Sequence, residues 1–234
     1  MTIESPHNAK LKEIRRLARR RGREQSGRLV AEGEDLLAAA DAAGWKALER
    51  YVAAGSGLAG TEVEPELLAR VSSLGSGTRA LAVYDQRWAT PQGPLAVYLH
   101  GVGDPGNVGT ILRSAHAFGA ASVVLGPDCA DPFGPKAVRA SMGAVFSVPL
   151  ARGAVEDLPG RTIALAARRG ERLQGPIDGG GATILVGAER TGLPRAVLAA
   201  ADTVAHIAIA GESLNAAMAA TVALYELTAR VPIA

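Results

Sequence analysis

The alternation of apolar and polar positions divides the chain into two stretches of different character. Between Asn8 and Gly22, Leu11, Ile14, Leu17 and Ala18 recur at helical spacing among cations, which predicts a basic amphipathic helix. Short apolar runs at Arg28–Gly33, Arg50–Ala54 and Arg79–Tyr84 predict strands. Glu34–Ala43, closed by Gly44, and Pro65–Val71, opened by a proline at its first position, predict helices. From Leu95 onward the runs are almost wholly apolar. Strands are predicted at Leu95–Val102, Ser122–Leu125, Val145–Val148, Thr162–Ala166, Thr183–Val186 and Val204–Ile209. Helices are predicted at Asn107–Phe118, around Pro135–Ala140, from Pro194 and at Ser213–Arg230, with a Gly-rich charged loop at Arg168–Gly181. Apolar strands separated by helices read as a buried, mostly parallel sheet, hence an α/β fold. Two prolines and polar residues between the stretches mark a linker, giving domains 1–85 and 95–234 joined by 86–94.

Composition narrows the classes. At 234 residues and 48% hydrophobic content the chain can bury a substantial core, built mainly from Ala, Val and Leu because aromatics make up only 4%. No apolar run reaches the roughly 18 residues of a membrane span. The polar opening to Lys10 and the basic stretch after it do not read as a secretory leader. Cys129 is the single cysteine, so neither an internal disulfide nor a cysteine metal cluster is available, no metal is expected, and a cytoplasmic location is. The net charge of +2 conceals a bias: residues 1–28 hold nine basic and three acidic side chains, the remainder 16 and 20. A basic end carrying Lys10, Lys12, Arg15, Arg16, Arg19 and Arg20 suits a polyanionic partner, while a merely solvated helix face is the competing reading.

Three segments carry chemistry. In Asp104-Pro105-Gly106-Asn107-Val108-Gly109-Thr110-Ile111-Leu112-Arg113-Ser114, Asn107 stands at an expected helix start, where Asn is a good N-cap, and Arg113 follows in a helix of small and apolar residues. In Leu185-Val186-Gly187-Ala188-Glu189-Arg190-Thr191-Gly192-Leu193, a buried strand runs into a glycine and then an acid, at the strand end where α/β sheets gather ligands. In Ile207-Ala208-Ile209-Ala210-Gly211-Glu212-Ser213-Leu214-Asn215, a strand and glycine turn lead into a long helix, with Ser213 as its expected cap. Gly101-Val102-Gly103-Asp104-Pro105-Gly106 also fits the dinucleotide-binding glycine pattern, with Asp128 about 20 residues on. Pro105-Gly106 is expected to oppose helix there, which weighs against a nicotinamide site.

In order and spacing the three segments resemble the signature motifs of the SpoU (TrmH-like) branch of the SPOUT RNA methyltransferases. Arg139-Ala140-Ser141-Met142-Gly143-Ala144 is similar to a further family segment, and the stretch from Ser5 to Gly33 is similar to the family's RNA-binding domain. The resemblance implies a C-terminal mostly parallel sheet with a deep trefoil knot, preceded by a small α/β domain of ribosomal-protein type. It implies methyl transfer from S-adenosylmethionine to a ribose 2′-hydroxyl of RNA, ribosomal RNA by analogy before transfer RNA, by a homodimer. Residue by residue it assigns the reacting centre to Arg113, Asn107, Glu189, Ser213 and Asn215, and the donor site to Gly187, Ile207, Ile209 and Leu214. Arg113 is better suited to holding phosphate and a developing alkoxide than to accepting a proton, because guanidinium stays protonated. His116 is a candidate proton acceptor by residue type. The third motif departs from the family pattern: Ile207-Ala208-Ile209 stands for Ile-Pro-Met, and the loop at Gly211 lacks two residues. A non-catalytic RNA-binding or ribosome-associated homologue with impaired donor binding is the alternative reading.

Overall fold

The computed structural model describes residues 2–73, 77–177 and 179–228. In chain order the elements are α1 (Ala9–Leu17), α2 (Arg20–Ser26), β1 (Arg28–Glu32), α3 (Glu34–Ala42), β2 (Glu49–Ala53), β3 (Thr61–Val63), α4 (Pro65–Val71) and β4 (Ala80–Asp85). There follow β5 (Leu95–His100), α5 (Pro105–Ala117), β6 (Ser122–Leu125), α6 (Pro135–Ala140), α7 (Ala144–Ser147), β7 (Leu150–Arg152), β8 (Arg161–Leu165) and β9 (Glu171–Arg172). The last are β10 (Ala182–Gly187), α8 (Arg195–Ala200), β11 (Thr203–His206) and α9 (Ala216–Thr228). Among the described residues no helix is long and apolar enough to cross a membrane.

Contacts divide the chain into two units, one of residues 1–86 with 131–147, the other of 87–130 with 148–234. The first holds a four-stranded sheet in the order β1-β4-β2-β3, antiparallel except for the β2–β3 pair. Its core packs Leu11, Ile14 and Leu17 of α1 against Val30, Tyr51, Leu68 and Leu81. Residues 131–147 join this core through aromatics. Trp45 meets Phe146 edge-on at 5.1 Å and donates from Nε1 to the Phe146 carbonyl at 2.8 Å, and Tyr84 stacks tilted against Phe146 at 5.5 Å. Arg139 adds an ion pair with Asp35 at 2.9 Å.

Two expectations fail in this unit, each for a physical reason. The basic helix expected over Asn8–Gly22 is broken: Asn8 caps α1, whose backbone ends at Ala18, and Arg19 is extended before α2 begins. Gly22 permits the fold-back, since a Cβ there would stand 2.1 Å from the Arg16 carbonyl oxygen. Arg23 then turns inward, donating to the Leu17 and Ala18 carbonyls left open at the end of α1 and pairing with Asp131 at 2.7 Å. The strand expected at Val145–Val148 is helix α7 instead, with Ala144, Val145 and Phe146 all buried, and the strand follows Pro149 as β7. A short run buried on every side has no periodicity to separate helix from strand. The two- and three-residue strands β9 and β3 were not expected, being too short and polar to stand out.

The second unit is a seven-stranded sheet in the order β7-β6-β5-β10-β8-β11-β9, parallel at every pairing. Residues 95–99 and 182–186 in its central strands are entirely buried. Such strands must be apolar at every position, which is why their sequences show no alternation. Helix α5 lays Val108, Ile111, Leu112 and Ala115 on one buried stripe. Ser114 and Thr221 share a hydrogen bond of 2.6 Å that ties α5 to α9.

Candidate functional site

The three motifs leave the carboxyl ends of three parallel strands. β5 ends at His100, in register with Gly187 at the end of β10, and β11 ends at His206. The first helix starts two residues earlier than expected, at Pro105, because Asp104 rather than Asn107 is the cap. Pro at the first position of a helix loses no hydrogen bond. The Asp104 carboxylate accepts from the amides of Gly106 and Asn107, so those amides are not open to a pyrophosphate. The nicotinamide reading loses its physical basis there.

Displaced from capping, the Asn107 side chain is available to the site. Its Nδ2 donates to Glu189 Oε1, and its Oδ1 accepts from Asn215 Nδ2 at 3.0 Å. Asn215 also corrects the expected start of the last helix. α9 begins at Ala216, and Asn215 rather than Ser213 caps it, its Oδ1 accepting from Ala217 at 2.9 Å and Met218 at 3.4 Å. Arg230, the expected end of that helix, lies outside the described residues. A directional chain results. Helix amides fix the Asn215 carbonyl, which aims its amide at Asn107, which in turn aims its own at the Glu189 carboxylate. Each amide is oriented by the one before it, and such chains polarise cooperatively.

A cavity of about 700 Å³ opens beside this chain. The strand expected at Val204–Ile209 stops at His206, and Ile207 to Ile209 form part of the cavity wall instead. Gly187, Glu189, Ser213 and Leu214 line it too, as do Arg168, Arg169, Arg190, His206 and Glu212, which sequence reasoning did not single out. Arg190 and Glu212 stood inside quoted motifs without a role, and the Arg168–Arg169 pair lay in a loop with no pattern. Arg168 donates to the Gly211 carbonyl at 3.3 Å, bracing the shortened third-motif loop. Gly187 is required by packing, since a Cβ there would lie 2.3 Å from the carbonyl carbon of Gly192. Arg113 and His116 are not on the wall. Both are exposed on α5, and Arg113 has no ion pair or hydrogen bond among the described residues. Six residues, about 9 Å of helical rise, separate Arg113 from Asn107. Burial pushes the Tyr98 phenol and the Cys129 thiol above their ordinary values, so both stay neutral beneath the site.

The volume is within the roughly 300–1,000 Å³ typical of small-molecule sites. Apolar side chains from Val186, Leu193, Ile207, Ile209 and Leu214 can hold an aromatic base, and the loop backbones offer hydrogen bonds at its rim. His206 Nδ1, in the wall, is a buried nitrogen without a partner among the described residues. These features fit a nucleoside cofactor.

A cofactor-sized cavity at the carboxyl end of a parallel sheet, with a carboxylate oriented on its wall, defines an α/β enzyme. Residues 94–225 match the SpoU rRNA methylase family, and residues 8–85 match the MRM3-like substrate binding domain. The chain belongs to the SpoU rRNA methylase family. An uncharacterized tRNA/rRNA methyltransferase of Synechocystis is 32% identical over 96% of this chain and 92% of its own length. The 23S rRNA (guanosine(2553)-2′-O)-methyltransferase RlmP of Bacillus subtilis is 28% identical over 96% and 98%. The AdoMet-bound rRNA methyltransferase of Sinorhizobium meliloti superposes with a TM-score of 0.87 at 29% identity, covering 100% of this chain and 99% of that one. The SpoU methyltransferase AviRb of Streptomyces viridochromogenes, in complex with AdoMet, gives 0.81 at 26% identity over 96% and 98%. As a member of that family the chain is an RNA methyltransferase.

Proposed function

We propose that this enzyme methylates a ribose 2′-hydroxyl of ribosomal RNA. The observation that carries the reading is the Asn215–Asn107–Glu189 chain beside the cavity, joining polar residues from all three motifs. The relatives' names add the substrate: RlmP is a 23S rRNA 2′-O-methyltransferase, as is the uridine-specific enzyme of Streptomyces viridochromogenes. The shortened loop leaves a cavity of about 700 Å³, which favours donor binding over a non-catalytic homologue.

When bound, S-adenosylmethionine supplies an electrophilic methyl group. Ile207, Ile209 and Leu214 enclose its apolar parts and exclude water, which strengthens each polar contact inside. Backbone groups at Gly187 read its polar edge. Arg113, free on α5, holds the phosphate next to the target ribose and steadies negative charge on the reacting oxygen. Asn107, Ser213 and Asn215 orient the groups around it. Lys10, Lys12, Arg15, Arg16, Arg19 and Arg20 bind phosphates on a separate RNA-binding domain of ribosomal-protein type. In this reading residues 1–85 are that domain and 95–234 the methyltransferase domain, although residues 131–147 of the latter stretch pack with the former. The strand order, with β10 between β5 and β8, accords with the family's trefoil-knotted threading. Action on ribosomal RNA implies a cytoplasmic enzyme.

Assembly as a homodimer belongs to the same reading. Met218, Val222 and Tyr225 follow one another at helical spacing on α9 and are 59%, 38% and 59% exposed, an apolar stripe suited to a second copy. Light scattering at micromolar concentration tests this, and a monomer refutes it.

For the reaction, purified protein is incubated with radiolabelled S-adenosylmethionine and RNA from a strain lacking the gene, followed by alkaline hydrolysis. Label in alkali-resistant dinucleotides from ribosomal RNA is expected. Label only in mononucleotides means base methylation and overturns the proposal.

A further inference from the structure

A 2′-hydroxyl attacks poorly until its proton is drawn off, and the acceptor must lie where the donor and the ribose meet. Arg113 cannot serve because a guanidinium remains protonated. His116 is exposed on α5 and absent from the cavity wall. The other ionisable side chains on that wall are Arg168, Arg169 and Arg190, which are cations, together with His206, Glu212 and Glu189. Among the described residues, His206 Nδ1 is buried without a hydrogen-bond partner, so nothing there orients the ring as an acceptor. Glu212 is exposed on the shortened loop, with no hydrogen bond or ion pair among the described residues.

Glu189 is exposed as well, but it alone of these is held in place by an oriented hydrogen-bond chain. Its Oε1 accepts from Asn107, at the end of a chain whose direction is set by the amides of α9, so the carboxylate is held as an acceptor in one orientation. Its Oε2 has no partner among the described residues, and the side chain lines the cavity. One oxygen is committed to positioning and the other is open.

We infer that Glu189 is the general base of the reaction, taking the 2′-hydroxyl proton on Oε2; this rests on the 2′-O-methylation reading above. As the ribose oxygen forms its bond to the methyl carbon, the O–H pair becomes the oxygen's lone pair and the proton passes to the carboxylate. The methyl–sulfur bond breaks with its electron pair going to sulfur, leaving the neutral thioether S-adenosylhomocysteine. The protonated Glu189 then returns its proton to water, which restores the carboxylate. The proton is accounted for without any further reactant.

Glu189→Gln tests this directly, because the Gln carbonyl still accepts from Asn107 while basicity is lost. Donor and product dissociation constants are measured by calorimetry, and methyl transfer in a single turnover on a confirmed 2′-O target. We expect both dissociation constants to stay within about threefold of wild type while the single-turnover rate falls about 10²–10⁴-fold, the usual worth of a general base. Glu189→Asp keeps a carboxylate and should recover part of that rate. Transfer by Glu189→Gln within about threefold of wild type overturns the inference. So does weakening of S-adenosylmethionine alone, with S-adenosylhomocysteine unaffected, since the carboxylate would then be holding the sulfonium charge. Product methylated on a base instead of a ribose refutes the underlying reading, independently of how the variants behave.

Discussion

Two substitutions at Asn215 separate what this residue does for folding from what it does for the site. Its Oδ1 caps α9 through Ala217 and Met218, and its Nδ2 orients Asn107. Asn215→Ala removes both. Loss of the cap costs about 1 kcal/mol, and loss of one exposed side-chain hydrogen bond at most about 1 more. At about 2–4 °C per kcal/mol for a chain of this size, Tm should fall by about 2–8 °C. Asn215→Asp keeps the cap, and its charge near the start of α9 adds about 0.3–1 kcal/mol. The aspartate cannot donate to Asn107, however. The Asn107 amide must turn over to satisfy it, and then presents an oxygen to Glu189. Losing a hydrogen bond to a carboxylate is worth about 1.5–3 kcal/mol, or about 10–100-fold in rate if it acts on the transition state. Thermal unfolding and single-turnover methylation should therefore diverge, Asn215→Asp melting at or above wild type while methylating at least tenfold more slowly. Wild-type methylation by Asn215→Asp would show that the amide chain does not position Glu189, and a Tm loss equal to that of Asn215→Ala would show that Asn215 does not act as the cap.

The basic segment yields a graded prediction. Lys12, Arg16 and Arg19 have no ion pair among the described residues, whereas Lys10 pairs with Glu49 at 2.9 Å and Arg20 with Glu24 at 2.8 Å. Alanine at Lys12, Arg16 or Arg19 should each lower the slope of log affinity for RNA against log salt by about 1, in filter binding, with smaller changes at Arg20. Equal effects at all four would mean the ion pairs do not hold in solution. Phe146→Ala should destabilise the protein by about 3–5 kcal/mol in urea, since it removes a buried ring packed on Trp45 and Tyr84. A loss below about 1 kcal/mol would show that residues 131–147 are not part of that core.

The local signals that survived into the structure are those that local physics decides. Pro65 opens α4 as expected, and the apolar runs at Leu95, Ser122, Thr183 and Thr162 became neighbouring parallel strands, because a strand covered on both faces must be apolar throughout. Their order in the sheet, and hence the meeting of Asn107, Glu189 and Asn215 from positions up to 108 residues apart, is a tertiary outcome that no local pattern encodes. Capping shows the boundary most plainly. Asn107 and Ser213 were both sound caps by residue type, yet Asp104 and Asn215 took those places. Which polar side chain satisfies a helix end depends on where the neighbouring chain leaves it, and that choice released Asn107 to the site. Arg23 makes the same point in the basic run. As sequence it is one cation among nine, but the broken helix gave it two carbonyls and Asp131 to satisfy, and burial made it structural. The sequence by itself determined the central apolar strands, the charge bias and the identities of the polar residues in the three motifs. The tertiary structure alone decided which of those residues touch, because hydrogen-bond partners are set by distance in space and not by spacing along the chain.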